Sequence, residues 1–147
     1  MKLTLPTSIE IWVNKKKRIW LWLNWYRNAH FIVSNNIKKT YKELIKEQLW
    51  PLDKIELPAQ VSLTFTYFNG TKRIADLDNW CSIACKFTQD AFTELELIKW
   101  DDYNYVKEVH FIYGWYDKNN WRIEVEIEDH EFINYKRWKR EMEILHK

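Results

Sequence analysis

The chain has 147 residues, 46% hydrophobic and 30% charged, the proportions of one folded domain and not of a disordered segment. Two glycines exclude a glycine-rich phosphate loop, and two cysteines are too few for a disulfide framework. The net charge of +2 conceals a division: residues 1–75 hold 13 Lys+Arg against 5 Asp+Glu, residues 76–131 hold 5 against 14, and residues 132–147 hold 5 against 2. A basic segment beside an acidic one suits a protein that grips phosphates with the first and a divalent metal with the second, although a merely uneven solvated surface has the same composition.

Met1–Pro6 has no basic start followed by a long apolar run, so no secretory leader is expected. The most apolar stretch, Ile19–Trp25, is broken by Asn24 and too short to span a bilayer, which points to a cytoplasmic protein with no membrane partner. In chain order, Leu3–Leu5 predicts a strand stopped by Pro6. Lys15-Lys16-Lys17-Arg18 is an exposed basic run. Residues 28–48 carry apolar positions at helical spacing, with Ser34, Asn35 and Asn36 as candidate caps and Pro51 as the stop. Val61–Phe68 alternates as a strand and Asn69-Gly70 marks a turn. Residues 78–96 predict a helix with Trp80, Ala84, Phe87, Ala91 and Leu95 along one stripe. Tyr105–Tyr113 and Trp121–Glu128 both alternate and are expected to pair as an antiparallel hairpin, and residues 131–145 predict a terminal helix with Phe132, Tyr135, Trp138 and Met142 on one side. The sum is a small α/β (α+β) domain with one mixed four-stranded sheet. Ten Trp, eight Tyr and seven Phe exceed what so small a core needs, so some of them should face a partner.

The sharpest local feature is Asp76-Leu77-Asp78-Asn79, where a loop enters a helix; Asp101-Asp102 follows that helix. If the second pair returns to the first, three carboxylates crowd one spot, and a divalent cation relieves their repulsion. Hard oxygen ligands favour Mg²⁺, with Mn²⁺ as a substitute, and a metal-bound water can attack a phosphodiester. The plainer alternative makes Asp76 or Asp78 a helix cap and Asp101-Asp102 a solvated turn. Lys86 stands on the helix with Asn79, Ile83 and Asp90, at the edge of the buried stripe. It could orient an attacking water or stabilise a phosphorane, or it could only pair with Asp90 one turn on. Cys81 and Cys85 read as buried thiols, and the four scattered histidines support no hydrolytic triad.

Taken in order, Lys72-Arg73, Asp76-Leu77-Asp78-Asn79, Lys86…Asp90-Ala91-Phe92 and Asp101-Asp102 resemble the core of the RusA family of Holliday junction resolvases, and Leu5-Pro6-Thr7-Ser8 is similar to that family's opening. The resemblance runs from Lys2 to Asp129, with the specific motifs in residues 72–106. It implies one RusA-like domain over residues 1–147 (core 2–129, C-terminal helix 131–145), a homodimer, Mg²⁺ dependence and paired nicks across a four-way DNA junction in recombination or repair, in a bacterium or a phage-infected host cell. By position, Asp76, Asp78 and Asp102 would be the metal-binding and catalytic aspartates, Lys86 the catalytic lysine, and Asn79 and Asp101 their support. Lys72 and Arg73 would contact phosphates first, Lys15, Lys16, Lys17 and Arg18 second, and Lys136, Lys139 and Arg140 third. The sequence departs from the family in two places. Members with the shorter spacing place the lysine three residues after the asparagine, where Ser82 stands here; Lys86 is one helical turn further, a shift of ~6 Å along the axis. Ile9-Glu10 replaces an expected asparagine, and Trp20, Trp22 and Trp25 have no family counterpart. The alternative function is a catalytically inactive or structure-non-selective protein of the same fold that binds branched DNA.

Overall fold

A computed structural model describes residues 1–147, the side chain of Val13 excepted. Four strands form a mixed sheet: β1 (Lys2–Leu5), β4 (Val61–Asn69), β5 (Val106–Tyr116) and β6 (Arg122–Asp129). Their spatial order is β1-β6-β4-β5, with β4 parallel to β5 and every other pairing antiparallel. A separate two-stranded ribbon, β2 (Ser8–Val13) with β3 (Lys15–Trp20), turns at Asn14, whose φ of 56° suits asparagine's tolerance of the left-handed region. The helices are α1 (Leu23–Asn28), α2 (Phe31–Leu49), α3 (Leu77–Glu94) and α4 (His130–Leu145). The whole is a single small α+β domain.

Register explains the core. Leu3 lies opposite Val125, and Val125 opposite Phe65; Leu5 lies opposite Ile123, and Ile123 opposite Tyr67. Paired residues share a face, so these side chains form one apolar surface, all of it buried. The helices α2 and α3 cover that surface with Ile37, Tyr41, Ile45, Ile83, Phe87 and Phe92. Phe87 is the hub: its ring meets Tyr41 edge-on at 5.6 Å and Tyr26 of α1 at 5.9 Å.

The expected hairpin of residues 105–113 with 121–128 does not form, because β4 lies between those strands. Alternation identifies a strand but not its neighbour. The core face of β4 is buried under the helices, and both of its edges are hydrogen-bonded, one to β6 and the other to β5. The link 117–121 crosses the end of β4, where the amides of Asp117 and Asn119 donate to the carbonyls of Asn69 and Gly70. The helix expected over residues 28–48 begins at Phe31, after the separate short helix α1, and is capped by His30, whose Nδ1 accepts from the Ile32 amide, rather than by Ser34, Asn35 or Asn36. The helix after Asp76 and the terminal helix form close to the expected bounds.

The terminal helix buries no residue. It is tied to the polar face of the sheet by a 2.9 Å hydrogen bond between Ser62 and His130, and by Arg137, whose two guanidinium nitrogens donate to the two carboxylate oxygens of Glu108. Arg137, and then His110, hold the Glu108 carboxyl at about 2, below its ordinary 4.5. A depressed carboxylate contributes its stabilisation above the ordinary value and loses it as pH falls toward the folded one. Amide exchange of α4 should therefore accelerate relative to α3 as pH drops from about 4.5 to about 2, and Glu108→Gln should impose the same loosening at neutral pH.

Candidate active site

Residues 70–76 carry the chain from the carboxyl end of β4 to the start of α3. This is the end of a parallel strand at which open α/β sheets bind ligands. Asn69 shapes the turn: its side-chain oxygen accepts from the Thr71 amide at 3.1 Å and its amide nitrogen donates to the Arg73 carbonyl at 2.7 Å. Asp76 then caps α3, accepting from the Asp78 amide at 3.0 Å. At the other end α3 closes on Glu96 in the left-handed region (φ 59°), with the amides of Glu96 and Leu97 returning to the carbonyls of Thr93 and Phe92. After that reversal Asp101 opens on a groove beside α3, and the Tyr105 carbonyl accepts from the Val61 amide at the start of β4.

Two grooves result. The first, about 470 Å³, is lined by Asp78, Ser82, Lys86, Asp90 and Asp101. The second, about 290 Å³, is lined by Arg73, Asp76, Asn79, Trp22, Trp80 and Trp121. The residues expected to gather therefore divide between them. Asp78, Lys86 and Asp101 share a groove; Asp76 opens on its neighbour; Asp102 lines neither and accepts from the Asn104 amide at 2.8 Å, shaping its own turn. Among the described residues, no three His, Cys, Asp or Glu side chains stand close enough to hold one ion between them. The expected convergence of Asp76, Asp78 and Asp102 is thus not formed. Asp76 and Asp102 each direct a carboxylate oxygen to a backbone amide two residues on, as short polar side chains do at helix starts and turns.

Two carboxylates nonetheless suit Mg²⁺, which takes one or two from protein and keeps several waters. The Ser82 hydroxyl lies 2.9 Å from the Asp78 carboxylate and nearer still to the Asp78 backbone carbonyl, with one proton to share between them. Lys86 is half exposed, with its ammonium 3.4 Å from Asp90. Asp90 is held more closely by Lys38 of α2, at 3.0 Å, so Lys86 has only a share of that partner. Asn79 serves α1, accepting from the Asn24 amide at 3.4 Å. Lys72 and Arg73 are both exposed, and Lys72 lies 5.5 Å from the centre of the Tyr116 ring. Lys15, Lys16, Lys17 and Arg18 are exposed on β3 of the ribbon; Lys136, Lys139 and Arg140 are exposed on α4. Both cysteines are free; burial pushes the Cys81 thiol up to about 12 and raises Cys85 as well, as inert thiols require. No helix is long and apolar enough to cross a membrane.

Periodicity did not reveal the aromatic wall beside Asp76. Trp80 stacks on Tyr67 at 5.5 Å, Trp22 lies 5.5 Å from Trp80, and Trp20 meets Trp80 and Trp121 edge-on. Gly70 lies under Trp121: a Cβ there would fall 2.3 Å from the indole. The abundance of tryptophan was the one available signal.

No known family model matches the sequence, and no curated protein matches it. The likeness to RusA-type resolvases rests on the ordered motifs alone.

Proposed function

We propose that this protein is a Mg²⁺-dependent endonuclease of branched DNA, acting on four-way junctions. The observation that carries the reading is the shared groove. Asp78 from the first turn of α3 and Asp101 from beyond its end open on the same space as Lys86. Asp78 and Asp101 would hold the metal, with Asp76 and Asp102 adjoining them in sequence. A capping bond contributes only about 1 kcal/mol, so either neighbour is cheaply released to an ion. The bound metal would supply an activated water and stabilise charge on the phosphate. Lys86 would add positive charge at the reacting phosphate, and Ser82 would fix the rotamer of Asp78.

Lys72 and Arg73 lie in the loop that leads to Asp76, and would hold the strand to be cut. Replacing both by Ala should weaken junction binding and lower the slope of log affinity against log salt by ~2, since each phosphate contact contributes ~0.9; filter binding at several salt concentrations reads this directly. A second copy would bring a second groove for the symmetry-related strand. The unburied aromatic side of α4 (Phe132, Tyr135, Trp138) and the exposed edge strand β5 are where such a copy would seat.

A binding protein without cleavage is the second reading, favoured by the capped state of Asp76 and Asp102. A synthetic four-way junction with Mg²⁺ or Mn²⁺ separates the two. Symmetric paired nicks support the nuclease; an intact, bound junction supports the binding protein.

A further inference from the structure

The ribbon β2–β3 stands apart from the main sheet, and a groove of about 650 Å³ lies between it, α1 and the start of α2. Its walls include the indoles of Trp20, Trp22 and Trp25 and the cationic side chains of Lys15, Lys17 and Arg18; no carboxylate lines it. Glu10, on β2, pairs with Lys16 at 3.0 Å and with Arg18 at 2.9 Å. Among the described residues, no carboxylate lies within ion-pair distance of Lys15 or Lys17. A core has no use for that charge; the indoles come from three places, Trp20 on β3, Trp22 at the cap of α1 and Trp25 within it, and meet the cations in one groove.

Planar apolar surface interleaved with uncompensated cations is the chemistry that receives unpaired bases and their phosphates. An acidic peptide would match the charge but leave the indole faces without planar partners. Trp22 adds continuity. It is 38% exposed and lines both this groove and the one that holds Arg73 and Asp76, so a strand lying in the first leads past it to the second.

We propose that this groove binds a single-stranded DNA segment, with a base stacked at Trp22 and phosphates on Lys15 and Lys17, so that an unpaired stretch at a branch point is delivered toward Asp76. The inference rests on the reading of the protein as one that acts on branched DNA, and its test is made with the metal chelated so that cleavage plays no part.

The measurement is fluorescence anisotropy of an end-labelled ten-nucleotide oligo(dT), against the full chain in EDTA, beside an abasic strand of equal length. The oligo(dT) should bind at least about tenfold more tightly than the abasic strand, the lower range for one stacked base. Trp22→Ala should remove most of that advantage, and Trp22→Phe, which keeps a ring, should restore it. Lys15→Ala with Lys17→Ala should cut the log–log salt slope by ~1.4, at ~0.7 per single-strand contact. Equal binding of the abasic strand would overturn the proposal. So would binding indifferent to Trp22 in a variant whose circular dichroism matches the parent, or displacement of the oligo by a poly-glutamate peptide of equal charge. Junction cleavage in Mg²⁺ is scored separately. A protein that cuts but shows no Trp22-dependent oligo binding refutes the groove alone; one that binds the oligo through Trp22 but leaves junctions intact refutes the nuclease alone.

Discussion

Asp78→Asn should reduce cleavage of a four-way junction in Mg²⁺ by a factor on the order of 10³ while leaving junction affinity within a fewfold of the parent. The size follows from the role. A metal supplies several kcal/mol of transition-state stabilisation, and each 1.36 kcal/mol is tenfold in rate. Asp78 is exposed, and its carboxylate contacts only the Ser82 hydroxyl, so the amide is accommodated in place. The cost to the fold is limited to the favourable charge in the first helical turn, about 0.3–1 kcal/mol. Asp101→Asn should act in the same direction. Asp76→Asn serves as a sharper comparison, because asparagine also caps a helix well: a loss of cleavage there reports a role in metal binding and not a disturbed α3. The check is a gel assay of nicked products together with binding in Ca²⁺. Full activity in both Asp78→Asn and Asp101→Asn would remove the basis for placing the metal in this groove.

Phe87→Ala should destabilise the domain by about 3–5 kcal/mol, the usual cost of deleting a buried aromatic ring. At about 2–4 °C per kcal/mol for a domain of this size, the melting temperature should fall by about 6–20 °C. Phe87 is 1% exposed and touches Tyr41 of α2 and Tyr26 of α1 as well as filling the space above the sheet. Its removal therefore loosens three helices at once, including the one that carries Asp78 and Lys86. A melt followed by circular dichroism measures the loss. A drop of only a degree or two would show that the surrounding rings close over the vacated space.

Why the sequence yielded some features and withheld others is clear from particular residues. The strand Val61–Asn69 and the helix Leu77–Glu94 were legible because each carries a full apolar face at its own period. Asp76 was legible as a helix start for the same local reason. The partners of β5 and β6 were not, since pairing depends on which strand is buried from both edges, a property of the assembled sheet. The ribbon β2–β3 was hidden by its four consecutive cations, which obscured the alternation of Ile9, Ile11 and Ile19; Asn14 between the two strands was the readable sign of a turn. In the candidate site, the motifs suggested that Asp76, Asp78 and Asp102 would gather beside Lys86 with Asp101 in support; the groove takes Asp78, Lys86 and Asp101 instead, since the motifs do not tell which carboxylates of the two pairs are claimed by backbone amides. Nor could they reveal that Trp22, on a different segment, would form a wall shared by two grooves.

The shared hold on Asp90 carries a consequence for the lysine beside it. Lys38, a residue of a different helix, takes the nearer position on that carboxylate and leaves Lys86 on a long tether. The hold on the Lys86 ammonium is therefore shared with a residue of a neighbouring helix. Were Lys38 lost, Asp90 would be left to Lys86 alone, so that two residues lining the groove would be rearranged by a change made outside it.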